Sequence, residues 1–536
     1  MNRTTLSLIG AATALAAVTG VAALTGGSSD DADASAKAAT RLPVQRSTLL
    51  CPTPSSSDVS STTYTAYTPK RDGADAKDGA AELLPAQSPA DDTADPGGDG
   101  GKNDGKDGKN DGKDGKDGGK GGKDGGKGGQ AAPGGDKPVL PLKEPGKPVT
   151  TEESSAGAPA LIGTADGRFA PGWTVQQTTT IDAGSGRGLL GTACTAPDTD
   201  FWLPGVSTDR NRQDFVHLTN PDDAAAEVDL KLYGPSGRLK PSTDEAITVP
   251  PRSTVPVLLS TLTDQRAAGA SLHVTARTGR IGAAVQAVDQ KAGSDWLPAS
   301  AVPSTSVAIP GIPKDATSAR LIVFAPGSDD ADLKVRLAGP NNAITPAGHE
   351  SLHVKSGMTA AIDLGDVTKG EPGSLLLTPE GGAGPATPVV AALQVTRGKG
   401  SDQETAFIPA TAPIGRSATA ADNRTKGSTL SLVAPRGSAK VRVTASAGAG
   451  GGSPVSKTYE IKGGTTKALE PPRPTSGKGP YAVTVERLSG GPVHASRMLA
   501  LSQDGVPMFT IQSLPDDRGT VAVPEAGQDL SLLNDD

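Results

Sequence analysis

The sequence predicts an all-β protein made of tandem sandwich units, and three observations lead to this prediction. Glycine and proline are abundant, with 69 and 45 residues in a chain of 536, and aromatic residues make up 3%. This composition excludes coiled coils and helical bundles. Short runs such as residues 333–337 alternate apolar with charged side chains, as a strand with one buried face does. The third observation is an internal repeat.

The repeat rests on three landmarks that recur between residues 202 and 498. The first is a step that ends in proline, found as LTNP at 218–221, VFAP at 323–326 and LVAP at 432–435. The second is found as AAVQ at 283–286, AALQ at 391–394 and ASRM at 495–498. The third is an aromatic–aliphatic–proline step, found as WLP at 202–204, WLP at 296–298 and FIP at 407–409. Each repeat is therefore interpreted as one group of short strands.

These landmarks predict four sandwich units. Three lie at 207–311, 312–414 and 415–518, and a first unit at 41–206 ends near the step at 202–204. Units of about 100 residues with about seven short strands are typical of immunoglobulin-like sandwiches. We expect the four units to form a stiff rod that exposes loops along its length.

A long Gly/Lys/Asp insertion interrupts the first unit at 71–150. Its centre, residues 97–129, places lysine and aspartate on a glycine background without any large apolar side chain. Such a segment cannot offset the entropy cost of ordering, so it is predicted to be disordered. Its carboxylates miss the spacing of a calcium loop, because Asp107 follows Asp104 by three positions instead of two.

The N-terminus predicts export. Residues 6–24 carry no charge and follow Arg3, and their number approaches the length of a membrane span, although Ala, Gly and Thr make the run weakly apolar. Residues 1–28 are therefore either a transmembrane anchor or a cleaved signal peptide, followed by a spacer at 29–40. Both alternatives export the remainder of the chain, which closes with an acidic tail at 519–536.

Cys51 and Cys194 are the two cysteines of the chain. An exported protein with a single pair most simply joins them in a disulfide, and two buried free thiols are the alternative. We expect Cys51 on the first strand and Cys194 on a late strand of the first unit. The insertion would then be a long surface loop of that unit, which the slow growth of loop-closure entropy with length allows.

Three aromatic residues of the third landmark, Trp202, Trp296 and Phe407, are candidate binding residues. Aromatic rings offer flat apolar faces, so stacking on a glycan is one interpretation. Their recurrence at one place in each unit favours the other interpretation, which is packing at the end of a strand.

His349, Glu350 and His353 spell H-E-x-x-H, the pattern of a zinc protease. That chemistry requires a helix, because both histidines must share one face with the glutamate. The repeat instead aligns this segment with residues 244–249, which read as a strand. We therefore expect an exposed strand here, and no catalytic residue, metal or cofactor in the protein.

The segments SGRGLLGTAC at 185–194, FWLPG at 201–205 and LTNP at 218–221 resemble an uncharacterised family of exported actinobacterial envelope proteins, which is defined as a domain of unknown function. The resemblance extends from about residue 42 to about residue 514 and includes the early Cys51-Pro52 and the later cysteine before a tryptophan. It implies an extracytoplasmic location and a repeated β architecture. It supplies no catalytic residues.

The sequence thus favours a non-catalytic exported cell-envelope protein, a structural or interaction module. A module that binds a glycan or wall polymer is the alternative, and a metal-dependent hydrolase that uses His349, Glu350 and His353 is the weakest. The expected partner is an envelope protein or a wall polymer, with membrane contact through the N-terminal helix alone. A net charge of −7 and the lack of a basic stripe argue against nucleic acid.

Overall fold

The computed structural model shows β-strands joined by turns, with three-residue 3₁₀ helices at Gly167–Phe169, Leu259–Thr261 and Gly400–Asp402. It describes residues 40–71, 78–87, 137–154, 156–184, 186–243, 245–381, 385–503 and 506–523. The predicted all-β class is confirmed. No helix among these residues has the length and apolar character to cross a membrane. The predicted anchor at 6–24 lies outside the described residues.

The described chain divides into two compact units. One is a two-stranded ribbon in which β1 (Thr40–Pro43) pairs antiparallel with β36 (Thr520–Val523). β1 thus begins at the last residue of the predicted spacer and otherwise lies in the predicted first unit, whereas β36 lies in the predicted acidic tail, whose remainder, 524–536, lies outside the described residues. The other unit, Val44–Gly519, contains all remaining strands and is called the body below.

The body contains four β-sandwiches, numbered I to IV along the chain. Sandwich I consists of β2 (Arg46–Cys51), β3 (Ser60–Tyr67), β4 (Ala81–Pro85), β5 (Leu140–Leu142), β6 (Val149–Glu153), β7 (Leu161–Asp166), β8 (Thr174–Ile181) and β9 (Gly188–Ala193). Sandwich II consists of β10 (Asp200–Ser207), β11 (Arg212–Thr219), β12 (Ala226–Gly234), β13 (Gly237–Arg238), β14 (Ile247–Val249), β15 (Thr254–Leu258), β16 (Ala268–Thr278), β17 (Gly282–Asp289) and β18 (Gly293–Pro298). Sandwich III consists of β19 (Val307–Ile312), β20 (Ala316–Phe324), β21 (Ala331–Ala338), β22 (Ala343–Ile344), β23 (Ser351–Val354), β24 (Thr359–Asp363), β25 (Gly373–Pro379), β26 (Val390–Arg397) and β27 (Glu404–Pro409). Sandwich IV consists of β28 (Ser417–Asn423), β29 (Ser428–Ala434), β30 (Ala439–Gly448), β31 (Val455–Ile461), β32 (Thr465–Leu469), β33 (Tyr481–Gly490), β34 (His494–Gln503) and β35 (Val506–Ser513).

All four sandwiches have the same strand order. One sheet runs first–sixth–third–fourth and the other fifth–second–seventh–eighth, where β13 with β14, and β22 with β23, together fill the fourth position. The immunoglobulin sandwich instead pairs its first strand with the second and its seventh with the sixth. The repeated antiparallel sheets are therefore confirmed, whereas the immunoglobulin topology is not.

The first landmark lies at the end of the second strand, and the second landmark lies on the seventh strand, in each of sandwiches II to IV. In each sandwich the two landmarks lie directly opposite each other, as the Cα pairs Leu218–Ala283, Val323–Ala391 and Leu432–Ala495. The predicted alternation is also observed on β21, where Leu333, Val335 and Leu337 are buried and the charged residues between them are exposed. Each sandwich thus buries the facing sides of its two sheets in a core.

The structure of sandwich I differs from the prediction at two boundaries, those of the insertion and of the end of the first unit. The predicted insertion at 71–150 contains two core strands, since Leu83 on β4 is 0% exposed and Leu140 on β5 is 3% exposed. The low-complexity centre at 97–129 lies outside the described residues. The step at 202–204 is on β10, the first strand of sandwich II, and does not close the first unit. Sandwich I closes with β9, so its last strand precedes Cys194.

The sandwiches form a closed ring and not the expected rod. The eighth strands contact one another in a circuit, because β9 contacts β18 and β35, and β27 also contacts β18 and β35. We call these four strands the inner circuit. The first strands of sandwiches II, III and IV also contact the seventh strands of sandwiches III, IV and I, respectively. Every sandwich of the body therefore has two neighbours, and sandwich IV closes the ring on sandwich I.

Candidate functional site

Trp296 lies on β18 of the inner circuit and is 1% exposed. Its ring packs with Ile181 and Leu190 of sandwich I, and it meets His217 edge-on with 5.1 Å between the ring centroids. Burial lowers the pKa of His217 to about 4, so this imidazole is neutral at physiological pH. The structure thus uses Trp296 to hold sandwich II on sandwich I.

Phe407 occupies the corresponding place one sandwich later. It lies on β27 of sandwich III, but its side chain belongs to the core of sandwich II. The guanidinium of Arg212 lies 4.9 Å from its ring centroid, and Asp214 accepts two hydrogen bonds of 2.7 Å from that guanidinium. The same arrangement joins sandwich III to sandwich IV, where Arg397 lies 4.8 Å from the ring of Phe509. A charged side chain therefore covers an aromatic ring of the next sandwich at both junctions.

Trp202 has a different environment from the other two aromatics. It is stacked on His273 at 3.6 Å with an interplanar angle of 6°, and the ring of Phe324 from sandwich III lies 5.2 Å away. The imidazole of His273 is also paired with the carboxylate of Asp200 at 2.9 Å. Because both of these rings stack on the indole, the flat surface that a sugar would use is at least partly occupied.

Asp295 ties three sandwiches together within the inner circuit. Its carboxylate accepts backbone N–H groups of Gly191 and Trp296 at 2.9 and 2.8 Å. The Thr510 hydroxyl, from sandwich IV, donates to it at 3.0 Å. Asp295 is fully buried, and this burial raises its pKa well above the usual range despite the three donors. Sandwiches I, II and IV thus meet on one carboxylate.

Glu404 supplies the matching contact from sandwich III. The side chain of Arg187, from sandwich I, donates to Glu404 Oε1 at 2.9 Å and to the Gln403 carbonyl at 2.8 Å. The Glu404 side chain is 1% exposed. Burial raises the pKa of Glu404 to about 7, although Arg187 acts in the opposite direction.

Replacing Glu404 by Gln should remove a pH dependence of stability. The folded-state pKa lies above the usual 4.5, so the native state binds more protons than the unfolded state between about pH 4.5 and pH 7. The contribution of Glu404 to the free energy of unfolding is therefore greatest at low pH. It falls by on the order of 2 kcal/mol as the pH rises through that window. Chemical denaturation across pH 4.5–8 should show a smaller decline in Glu404→Gln than in the native protein.

The control for this comparison is Glu486→Gln, which changes a carboxylate that is 34% exposed and paired with Arg442 on the outer face of sandwich IV. A constant difference between the native protein and Glu404→Gln over the whole pH range would contradict the prediction.

The H-E-x-x-H segment lies on a strand and the turn before it. His353 is on β23, and its ring nitrogens lie 2.8 Å from Asp332 and 3.3 Å from Asp330. His349 and Glu350 precede this strand. Over the part of the chain that the structure describes, no group of three or more His, Cys, Asp or Glu side chains is arranged to hold a metal ion.

The predicted disulfide is confirmed. Cys51 at the end of β2 is joined to Cys194, which directly follows β9. Both residues lie in the core of sandwich I. The bond therefore links the first strand of this sandwich to the end of its last strand.

Sequence reasoning missed the buried charged residues of the ring, including Asp295, Glu404 and Asp214. One signal was available, because ASRM at 495–498 places Arg497 where the other two copies of this landmark have Val285 and Leu393. A charge at a core position of a repeat indicates a special environment.

A comparison with protein-family models identifies residues 149–472, more than half of the chain, as a match to the Family of unknown function (DUF5719). The chain belongs to this family. The DUF5719 match begins at β6 and ends just after β32, so it includes sandwiches II and III and parts of sandwiches I and IV. The body extends beyond the DUF5719 match at both ends. No curated protein and no solved structure matches the chain.

Proposed function

We propose that the protein is an exported, non-catalytic interaction platform of the cell envelope. In this proposal residues 6–24 either anchor it in the plasma membrane or are removed as a signal peptide, and the body is extracytoplasmic. The disulfide supports this location, because such bonds persist in oxidising compartments.

The observation that carries the proposal is the closed ring. Each eighth strand contacts two others, and buried side chains such as Asp295 connect sandwiches that are distant in sequence. Loops on four sandwiches are consequently held at fixed positions, which suits simultaneous contact with a large partner. The partner proposed is an envelope protein or a wall polymer.

The two alternatives find less support. Glycan binding by stacking needs an open aromatic face, but Trp173 and Trp296 are buried, and the rings of His273 and Phe324 already stack on Trp202. Hydrolysis through His349, Glu350 and His353 needs a helix, and His353 lies on a strand.

Site-specific photo-crosslinking on intact cells tests the platform. Large apolar side chains are exposed in several regions of the body, namely Val59 (56%), Val302 (78%), Ile344 (47%) and Leu488 (43%). A photoreactive residue at each position in turn, in the full-length protein, should capture the same envelope protein or wall polymer from one or more sites. A photoreactive residue at the buried Val335 (0% exposed) is the control. Capture that is no greater than this control at all four sites would contradict the proposal.

A further inference from the structure

In each sandwich, one residue of the seventh strand is paired with one residue of the eighth strand at a position that is equivalent among the four sandwiches. In sandwiches II and III these are apolar core pairs, Val285 with Leu297 and Leu393 with Ile408. In sandwiches I and IV the pairs are polar, Gln177 with Thr192 and Arg497 with Gln512. The polar pairs thus belong to the two sandwiches that close the ring, whose junction we call the closing seam.

Arg497 is fully buried at the closing seam. Its Nη2 donates to Oε1 of Gln176, from sandwich I, at 3.0 Å. Its Nε and Nη1 have no hydrogen-bond partner, and neither does Nε2 of Gln176. Gln512, directly opposite Arg497 on the next strand and 2% exposed, has no partner for either side-chain atom. Unpaired N–H groups from three buried side chains are therefore concentrated here.

The charges at the closing seam do not balance. The carboxylate of Asp422 raises the pKa of Arg497, whereas the neighbouring cation Arg424 lowers it. Asp422 is already paired with Arg424 at 2.7 Å and accepts a hydrogen bond from Thr178 at 2.9 Å. Burial lowers the pKa of Arg497 to about 10, which leaves the guanidinium charged at neutral pH. Two cations thus share the carboxylate of Asp422, and of these Arg497 is fully buried while the side chain of Arg424 is 29% exposed.

An uncompensated buried charge is costly, and an anion offsets its charge as well as its unpaired N–H groups, whereas a neutral acceptor satisfies the N–H groups alone. The unpaired atoms at this position are also inaccessible to solvent, so the anion must be small. We propose that the closing seam binds one small inorganic monoanion of the halide class, held by Arg497 and by the side-chain amides of Gln176 and Gln512.

This site would make ring closure dependent on the anion. Arg497 and Gln512 belong to sandwich IV and Gln176 belongs to sandwich I, so one ion would join the first and last sandwiches of the chain. The inference does not depend on the proposed envelope function.

Bromide is the probe for the first experiment, because it replaces chloride and scatters anomalously. Crystals of the protein prepared in sodium bromide should show an anomalous peak in contact with Arg497 and Gln512. Electron density for a water molecule without an anomalous signal at this position would overturn the proposal.

Thermal unfolding provides an independent measurement on the full chain in solution. At constant ionic strength, replacing glutamate by chloride as the anion should raise the Tm saturably, by about 1–3 °C. Arg497→Met should abolish this rise, whereas Lys440→Met, at an exposed residue of the same sandwich, should retain it. A Tm of the native protein that does not respond to chloride contradicts the proposal even if Arg497→Met fails to fold.

Discussion

Asp214→Ala is expected to lower the free energy of unfolding by about 3–5 kcal/mol. Asp214 and Arg212 are both buried, and the carboxylate accepts two hydrogen bonds from the guanidinium and a third from the Ser207 backbone at 2.8 Å. Removing the carboxylate leaves the cation buried without its partner. The loss of stability should extend to sandwich III, because the same guanidinium covers the ring of Phe407, which lies on β27 of that sandwich.

Chemical denaturation of the purified protein measures this effect. Glu486→Ala is the matched control, because it breaks a carboxylate–arginine pair of 2.8 Å whose side chains are 34% and 47% exposed. Such exposed pairs contribute about 0–1 kcal/mol. The double replacement Arg212→Met with Asp214→Leu should recover much of the lost stability, because it removes the unpaired charge as well. If Asp214→Ala lowers the free energy of unfolding by no more than Glu486→Ala does, the stabilising role of the buried Asp214–Arg212 pair would be contradicted.

The sequence predicted the strand register within a repeat well. The prolines of the first landmark, Pro221 and Pro326, are 105 positions apart, and this offset aligns Leu352 with Ile247 and Val354 with Val249. In the structure each pair occupies the same place beside the third strand, and the partner of Val249 is Ala226 as the partner of Val354 is Ala331. These features are set by alternation and by turns, which are local properties of the chain.

The resemblance between two WLP steps misled the assignment of the first unit. Residues 203–205 correspond to residues 309–311, because both lie at a bulge in the first strand of a sandwich, with Gly205 at φ +110° and Gly311 at φ +91°. The step at 296–298 is on an eighth strand. Three residues of sequence did not distinguish the two positions, since both combine a buried aliphatic residue with a proline.

Ring closure depends on contacts that no local pattern reports. Arg187 meets Glu404 across 217 positions of sequence, and Thr178 meets Asp422 across 244. Strand patterns indicate which face of a sheet is buried, but not whether a core or a neighbouring sandwich covers it. Trp296 and Phe407 were therefore recognised as repeated aromatics, while the sandwich that each one contacts became evident from the structure.

Loss of the Cys51–Cys194 bond should destabilise the entire body and not sandwich I alone. The cysteines are 143 positions apart, and a closed loop of this length corresponds to about 5 kcal/mol in the chain-entropy model. Sandwich I contacts sandwich II through β18 and sandwich IV through β35. Unfolding of sandwich I would therefore expose both neighbours, so we expect one cooperative transition that moves to lower temperature as a whole.

Calorimetry of the protein with Cys51→Ala and Cys194→Ala tests this expectation against the alternative of independent sandwiches. The double variant should unfold in a single transition at a lower Tm, and the native protein in reductant should behave in the same way. Reductant should leave the double variant unchanged, which controls for effects unrelated to the bond. Independent sandwiches would instead give an early transition of sandwich I and an unshifted transition of the remainder. The two outcomes differ because, in a ring, the stability of each sandwich includes its contacts with both neighbours.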